Sequence, residues 1–176
     1  MWLWLACGGV SDPDVTSPQE VITAVELSFT DAMGTTVARW SDPEGDGDPD
    51  VDAVTLGLAS VADVAVTFWD GDTEITPEIL EEAADHQVFV TGSAAAGTTT
   101  WMSTDEDANG LPLGLSWTAE ALASGSGDLT VTLRHLPPEG GEAVKVAGLQ
   151  EVASTEGLDA LPGDSDASVT FPLTVP

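Results

Sequence analysis

The chain carries two imidazoles among its 176 residues, His86 and His135. His86 opens the stretch HQVFV, directly after an acidic run that contains Glu81, Glu82 and Asp85, and His135 ends LTVTLRH. Side chains in a strand alternate between two faces. His86 therefore shares a row with Val88 and Val90, and His135 shares one with Leu129, Val131 and Leu133. Both rings lie on aliphatic rows near a strand end. Were the two strands neighbours, the rings would converge at one rim, with Glu82 or Asp85 as the carboxylate beside them. Two imidazoles and one carboxylate form a zinc set with an open fourth position, and copper accepts the same donors. The pair also admits a purely structural reading. His86 follows an expected helix C-terminus, where the helix dipole favours a protonated ring, and His135 needs only a hydrogen bond at its strand end.

Two acidic loops have the composition of cation sites. In the first, Asp42, Glu44 and Asp46 begin a series, continued by Asp48, Asp50 and Asp52, that is acidic at every second residue. In the second, DEDANG, Asp105, Asp107 and Asn109 have the spacing of a calcium loop, with Gly110 at the turn. Calcium takes six to eight oxygens, and an EF-hand closes with a bidentate Glu at the twelfth position. The twelfth residue from Asp105 is Ser116, and from Asp42 it is Ala53. Neither loop closes in that way, and Asx-turn hydrogen bonding accounts for DANG without an ion. Calcium stays one of two readings of these loops.

The charge balance limits the partners. With 31 acidic and three basic residues, the formal net charge is -28. Such a chain repels nucleic acid and anionic lipid surfaces and suits cations, basic partners or a saline medium. A hydrophobic content of 42% argues against wholesale disorder. No GxSxG elbow and no Walker loop is present, and ASGSGD reads as a hairpin turn. The expectation is a protein that is not an enzyme.

Elements able to position these residues are mostly strands. In VITAVELSFT, Val21, Thr23, Val25, Leu27 and Phe29 fall on one face, the period of a half-buried strand. VARWSD reads as its hairpin partner. VADVAVTFWD alternates again, HQVFVTG and TTTWMST are shorter, LGLSWTAE and DLTVTLRH flank ALASGSG, and ASVTFPLTV closes the chain. Pro172 in that last segment marks an edge strand or a bulge. One helix is expected, over TPEILEEAAD, with Thr76 as cap, Pro77 in the first turn, and Ile79, Leu80 and Ala83 toward the sheet. The stretch 139–166 is weakly patterned and reads as a surface excursion. The expected fold is all-β: a two-sheet antiparallel, Ig-like β-sandwich with one short helix.

The N-terminal MWLWLACGG places small Ala6 before Cys7, the only cysteine, as at the end of a bacterial lipoprotein signal. The apolar run is shorter than a full secretory signal and lacks a basic start, so the expectation is a truncated signal with Cys7 as the lipidation site. Gly, Ser, Asp and Pro then dominate up to Glu20 and read as a tether. The expected organisation is a signal and tether over 1–20 and a sandwich domain over 21–176, joined to the membrane by the lipid alone.

EEAADHQVFV, TDEDANGLPLGLSW, LTVTLRHLPPEGGEA and DSDASVTFPLTV, in that order, resemble a family of bacterial envelope lipoproteins often encoded beside TonB-dependent receptors. Some members carry the label "type 1 periplasmic binding fold", which implies an α/β domain and conflicts with the strand pattern read here. The resemblance implies a lipid-anchored accessory protein of the cell envelope, at the outer membrane, with an outer-membrane receptor as partner. Two functions follow as expectations. One is capture of a ligand, a transition metal such as zinc or copper or a metal complex. The other is a structural or adhesive module with acidic, calcium-binding or empty loops.

Overall fold

A computed structural model describes residues 21–176; Cys7 and the tether lie outside them. In chain order the strands are β1 (Ala24–Asp31), β2 (Gly34–Ser41), β3 (Asp50–Val51), β4 (Val54–Thr55), β5 (Val61–Asp70), β6 (Thr73–Glu74), β7 (His86–Thr91), β8 (Thr99–Ser103), β9 (Ser116–Ala121), β10 (Gly125–His135) and β11 (Asp164–Val175). One sheet runs β3-β2-β1-β5-β9-β8, with β6 paired to β5, and the other runs β4-β11-β10-β7. All pairs are antiparallel except the two-residue contact of β4 with β11. The architecture is the expected all-β sandwich.

Alternation builds the core. Val25, Leu27 and Phe29 of β1, Val64, Val66 and Phe68 of β5, and Trp117 of β9 meet Val88 and Val90 of β7, Leu129, Val131 and Leu133 of β10, and Val169, Phe171 and Leu173 of β11. Full burial of each such side chain contributes about 1.5–3 kcal/mol. The intervening residues of β11, Thr170, Pro172 and Thr174, face solvent.

Three expectations need correction. First, there are three short helices, α1 (Thr76–Glu81), α2 (Ser93–Gly97) and α3 (Leu149–Thr155), and a 3-10 turn at Leu158–Ala160. Segments of five to seven residues are held by tertiary packing rather than by their own periodicity, so α2 and α3 left no pattern to read. In α1, Ile79 is buried and Leu80 is 59% exposed. The Thr76 hydroxyl accepts from the Phe68 N–H instead of capping the helix. Second, the ASGSG turn is not a hairpin: β9 and β10 belong to different sheets, and the turn carries the chain across the sandwich. Third, the stretch after His135 is no mere surface excursion. Leu136, Leu149, Ala153 and Leu161 close over Phe89 on the outer face of β7 and make a second, smaller apolar cluster. This layer explains why His86 through Val90 is buried at every position: β7 is covered on both faces.

The layer is fastened by the scarce cations. Arg134 donates from Nε to the Pro162 carbonyl, from Nη1 to the Ser165 hydroxyl, and from Nη2 to the Leu161 and Gly163 carbonyls. A flat guanidinium with five fixed donors suits such a cluster of acceptors. Gly163 has φ +72°, and a Cβ there would run into the His135 carbonyl, so the turn reaches the strand only with glycine. Lys145 donates to the Ala83 carbonyl at 2.7 Å and pairs with Asp107 at 2.8 Å. The third cation, Arg39, lies 3.6 Å from Glu26 and over the Trp69 ring.

Candidate functional site

His86 and His135 are direct cross-strand partners, β7 to β10. Their rings stack with centroids 4.8 Å apart and planes 14° apart. His86 is fully buried. Its Nδ1 lies 3.3 Å from the Glu82 carbonyl oxygen and 4.0 Å from the Glu82 carboxylate. Its Nε2 lies 3.5 Å from Oδ2 of Asp166, whose side chain is equally withdrawn from solvent. A hydrogen on Nδ1 would therefore meet the Glu82 carbonyl as its acceptor, and Nε2 faces the Asp166 carboxyl group.

Asp166 reaches the ring because β11 is irregular there. Ala167 pairs with Leu133 and Ser165 with Arg134, so Asp166 is the extra residue of a bulge. Bulges re-aim side chains in this way. Strict alternation from Val169 would assign Asp166 to the opposite face, and for that reason the sequence reading missed it. The structure brings together His86, His135 and Glu82 as expected. Asp85 instead contributes its backbone carbonyl to the Leu136 N–H.

The stacked geometry bears on the metal expectation. An imidazole binds a metal along a lone pair in its own ring plane. Nearly parallel stacked rings direct those lone pairs along neighbouring planes, not at one ion between them. Among the described residues, no group of three or more His, Cys, Asp or Glu side chains is arranged to hold a metal ion.

The acidic loops use their carboxylates on their own backbone. Asp105 accepts from the N–H groups of Gly114, Leu115 and Ser116 and from the Ser103 hydroxyl. Asp107 accepts from the N–H groups of Asn109 and Leu111, and its other oxygen faces Lys145. Burial pushes the Asp107 pKa up, but the Lys145 ammonium and the two N–H bonds outweigh it and hold the group below its ordinary range. Asn109 is exposed. In the other loop, Asp42 accepts from the N–H groups of Asp46 and Gly47, and Asp46 from that of Asp48. Glu44 is exposed. These are the Asx-type contacts of tight turns.

A further feature was not legible in the sequence. Where β7 and β8 form the edges of their sheets on the side spanned by α2, an open pocket of about 510 Å³ lies between α2, β8 and α3. Trp101 of β8, Ala95 and Ala96 of α2, and Ala153, Ser154 and Leu158 of the outer layer are among its walls. Gln150 closes one side. Its amide donates to the Val90 carbonyl and accepts from the Val90 N–H, pairing the β7 edge as a strand would. Only the folding back of α3 creates this pocket, so no local motif could announce it.

Compared with protein-family models, curated proteins and solved structures, the chain finds no match in any of the three. The class it defines, an acidic two-sheet β-sandwich with a third layer over one sheet, rests on the structure itself.

Proposed function

We propose that the protein is an accessory ligand-binding module of the cell envelope, tethered through Cys7, whose ligand occupies the pocket between α2, β8 and α3. The pocket carries this reading. Its volume of about 510 Å³ falls in the ordinary range for small-molecule sites, about 300–1,000 Å³. It also lies at the junction of three separately formed walls. The burial of His86 favours this reading over capture of a bare ion, because its ring is enclosed and stacked on that of His135. A lipid on Cys7 and the Gly-, Ser-, Asp- and Pro-rich segment after it would hold such a module near a receptor in the outer membrane.

The test is a small-molecule screen read as a rise in melting temperature, since a ligand of the folded state stabilises it by mass action. The screen is repeated on Ala96→Phe, whose added ring fills the pocket. Compounds that stabilise the wild type but not the variant are expected. If no compound discriminates between the two proteins, the module is structural and the pocket reading fails.

A further inference from the structure

We infer that the pocket binds an uncharged saccharide, with Trp101 as the stacking platform; this rests on reading the pocket as the binding site. Charge is the first argument. The chain carries 31 acidic residues, yet none of the described residues that line the pocket is charged. An anion would be repelled by the molecule as a whole. A cation would meet no carboxylate in the pocket to replace the water it gives up. The ligand left by these two exclusions is neutral.

The wall chemistry is the second argument. Trp101 is partly buried, and its ring is held before any ligand arrives. Its Nε1 donates to the Thr99 hydroxyl at 2.9 Å, and Phe29 packs against it edge to face at 6.2 Å. A fixed indole loses little freedom on binding. An aromatic face covers the C–H face of a sugar ring by dispersion and apolar burial. Short hydroxyls also line the pocket. The Ser93 oxygen accepts from the Asp128 N–H at 2.9 Å, which leaves its own hydrogen to donate. Thr91 adds a second hydroxyl. Gly92, with φ +102°, brings its backbone to the wall where a Cβ would collide with the Asp128 carbonyl. One apolar platform facing small neutral polar groups matches a molecule with one C–H face and a rim of hydroxyls. A wholly aliphatic ligand would cover the hydroxyls without replacing their bonds to water.

The experiment follows the Trp101 indole N–H and the α3 amides by NMR, with the indole signal assigned through Trp101→Phe. The probes are maltose, cellobiose and N,N'-diacetylchitobiose, with glucuronate and decanol as the anionic and aliphatic controls. The expected result is saturable movement of these signals with at least one neutral disaccharide, insensitive to added NaCl. Affinity should fall roughly tenfold or more in Trp101→Ala, in line with the loss of an aromatic contact of about 1.4 kcal/mol. Ala96→Phe, which keeps the Trp101 contacts, should block binding even if Trp101→Ala proves unstable. Movement with decanol or glucuronate alone would overturn the saccharide inference and leave the pocket standing as a site. Equal disaccharide binding by wild type and Ala96→Phe would place the sugar elsewhere and overturn the inference.

Discussion

His86 and Asp166 approach to 3.5 Å with both side chains sealed from solvent, although alternation along β11 would have turned Asp166 away. The bulge that joins them makes one buried group the partner of the other. Removing one member of a buried pair strands the survivor, which costs about 3–5 kcal/mol, whereas removing both is much milder. Asp166→Ala alone should therefore lower stability by about 3 kcal/mol. His86→Leu with Asp166→Ala should lose less than the two single changes added together. Urea unfolding of the four proteins measures the coupling. Additive losses would show that the two groups do not act as a pair.

The same arrangement makes a prediction for zinc. If the rings keep their stacked positions, wild type, His86→Ala and His135→Ala should bind zinc alike, weakly and through the acidic surface. Titration calorimetry at fixed ionic strength compares them. A tight site lost with either alanine would mean that the rings reorient around the metal and that the shared metal centre read from the sequence is formed.

How far the sequence could be read differs by element. Strands such as β5, with alternating burial over ten residues, were legible because one face meets water and the other the core. The segment β7 was legible as a strand but not as one covered on both sides, since its cover lies some sixty residues away at Gln150 and Leu149. The pairing of His86 with His135 was foreseen because both sit on aliphatic rows. Asp166 was hidden by a one-residue bulge, and the pocket by the return of α3. In each miss the deciding contact is long-range, and local periodicity carries no record of it.

Arg134 should resist conservative replacement. Its four hydrogen bonds reach three consecutive carbonyls, Leu161 to Gly163, and the Ser165 hydroxyl. Lysine keeps the charge but not the planar fork. With bonds to a charged group contributing about 1.5–3 kcal/mol each, Arg134→Lys should cost at least about 2 kcal/mol. Hydrogen exchange should then speed up in the outer layer around Leu161 before it does in the sandwich core. Unchanged exchange there would remove Arg134 from its role as the fastening.

Cys7 supplies a prediction about location. With a complete secretion signal placed before it, the protein should partition into detergent and carry lipid, and Cys7→Ser should release it as soluble protein. Equal membrane retention of both forms, measured by fractionation and mass spectrometry, would count against the anchor.

Lys145 and Asp107 give the sharpest dependence on pH. Their charged atoms are 2.8 Å apart and both side chains are buried, and the pair joins the acidic loop to the end of α1 through the Ala83 carbonyl. Burial alone would raise the Asp107 pKa. The Lys145 ammonium and the N–H groups of Leu111 and Asn109 reverse this and leave it below its ordinary value of 3.8. A group whose folded pKa is depressed adds stability that is complete above the unfolded pKa and disappears as pH falls through the folded one. Asp107→Asn keeps the shape but removes the charge, leaving the ammonium of Lys145 buried beside a neutral amide. At pH 7 the variant should be less stable by about 3 kcal/mol or more. Below the ordinary carboxylate range the gap should narrow, because the wild type is then losing the same charge. The quantity to measure is the difference in urea midpoint between the two proteins across pH, since the many other carboxylates titrate equally in both. Calcium should not stabilise the wild type beyond what magnesium does at the same ionic strength, because the Asp107 carboxylate is occupied by Lys145 and backbone N–H groups. A gap that stays constant down to the lowest pH would overturn the ion pair, and one widened by calcium alone would show that Asp107 serves a bound cation.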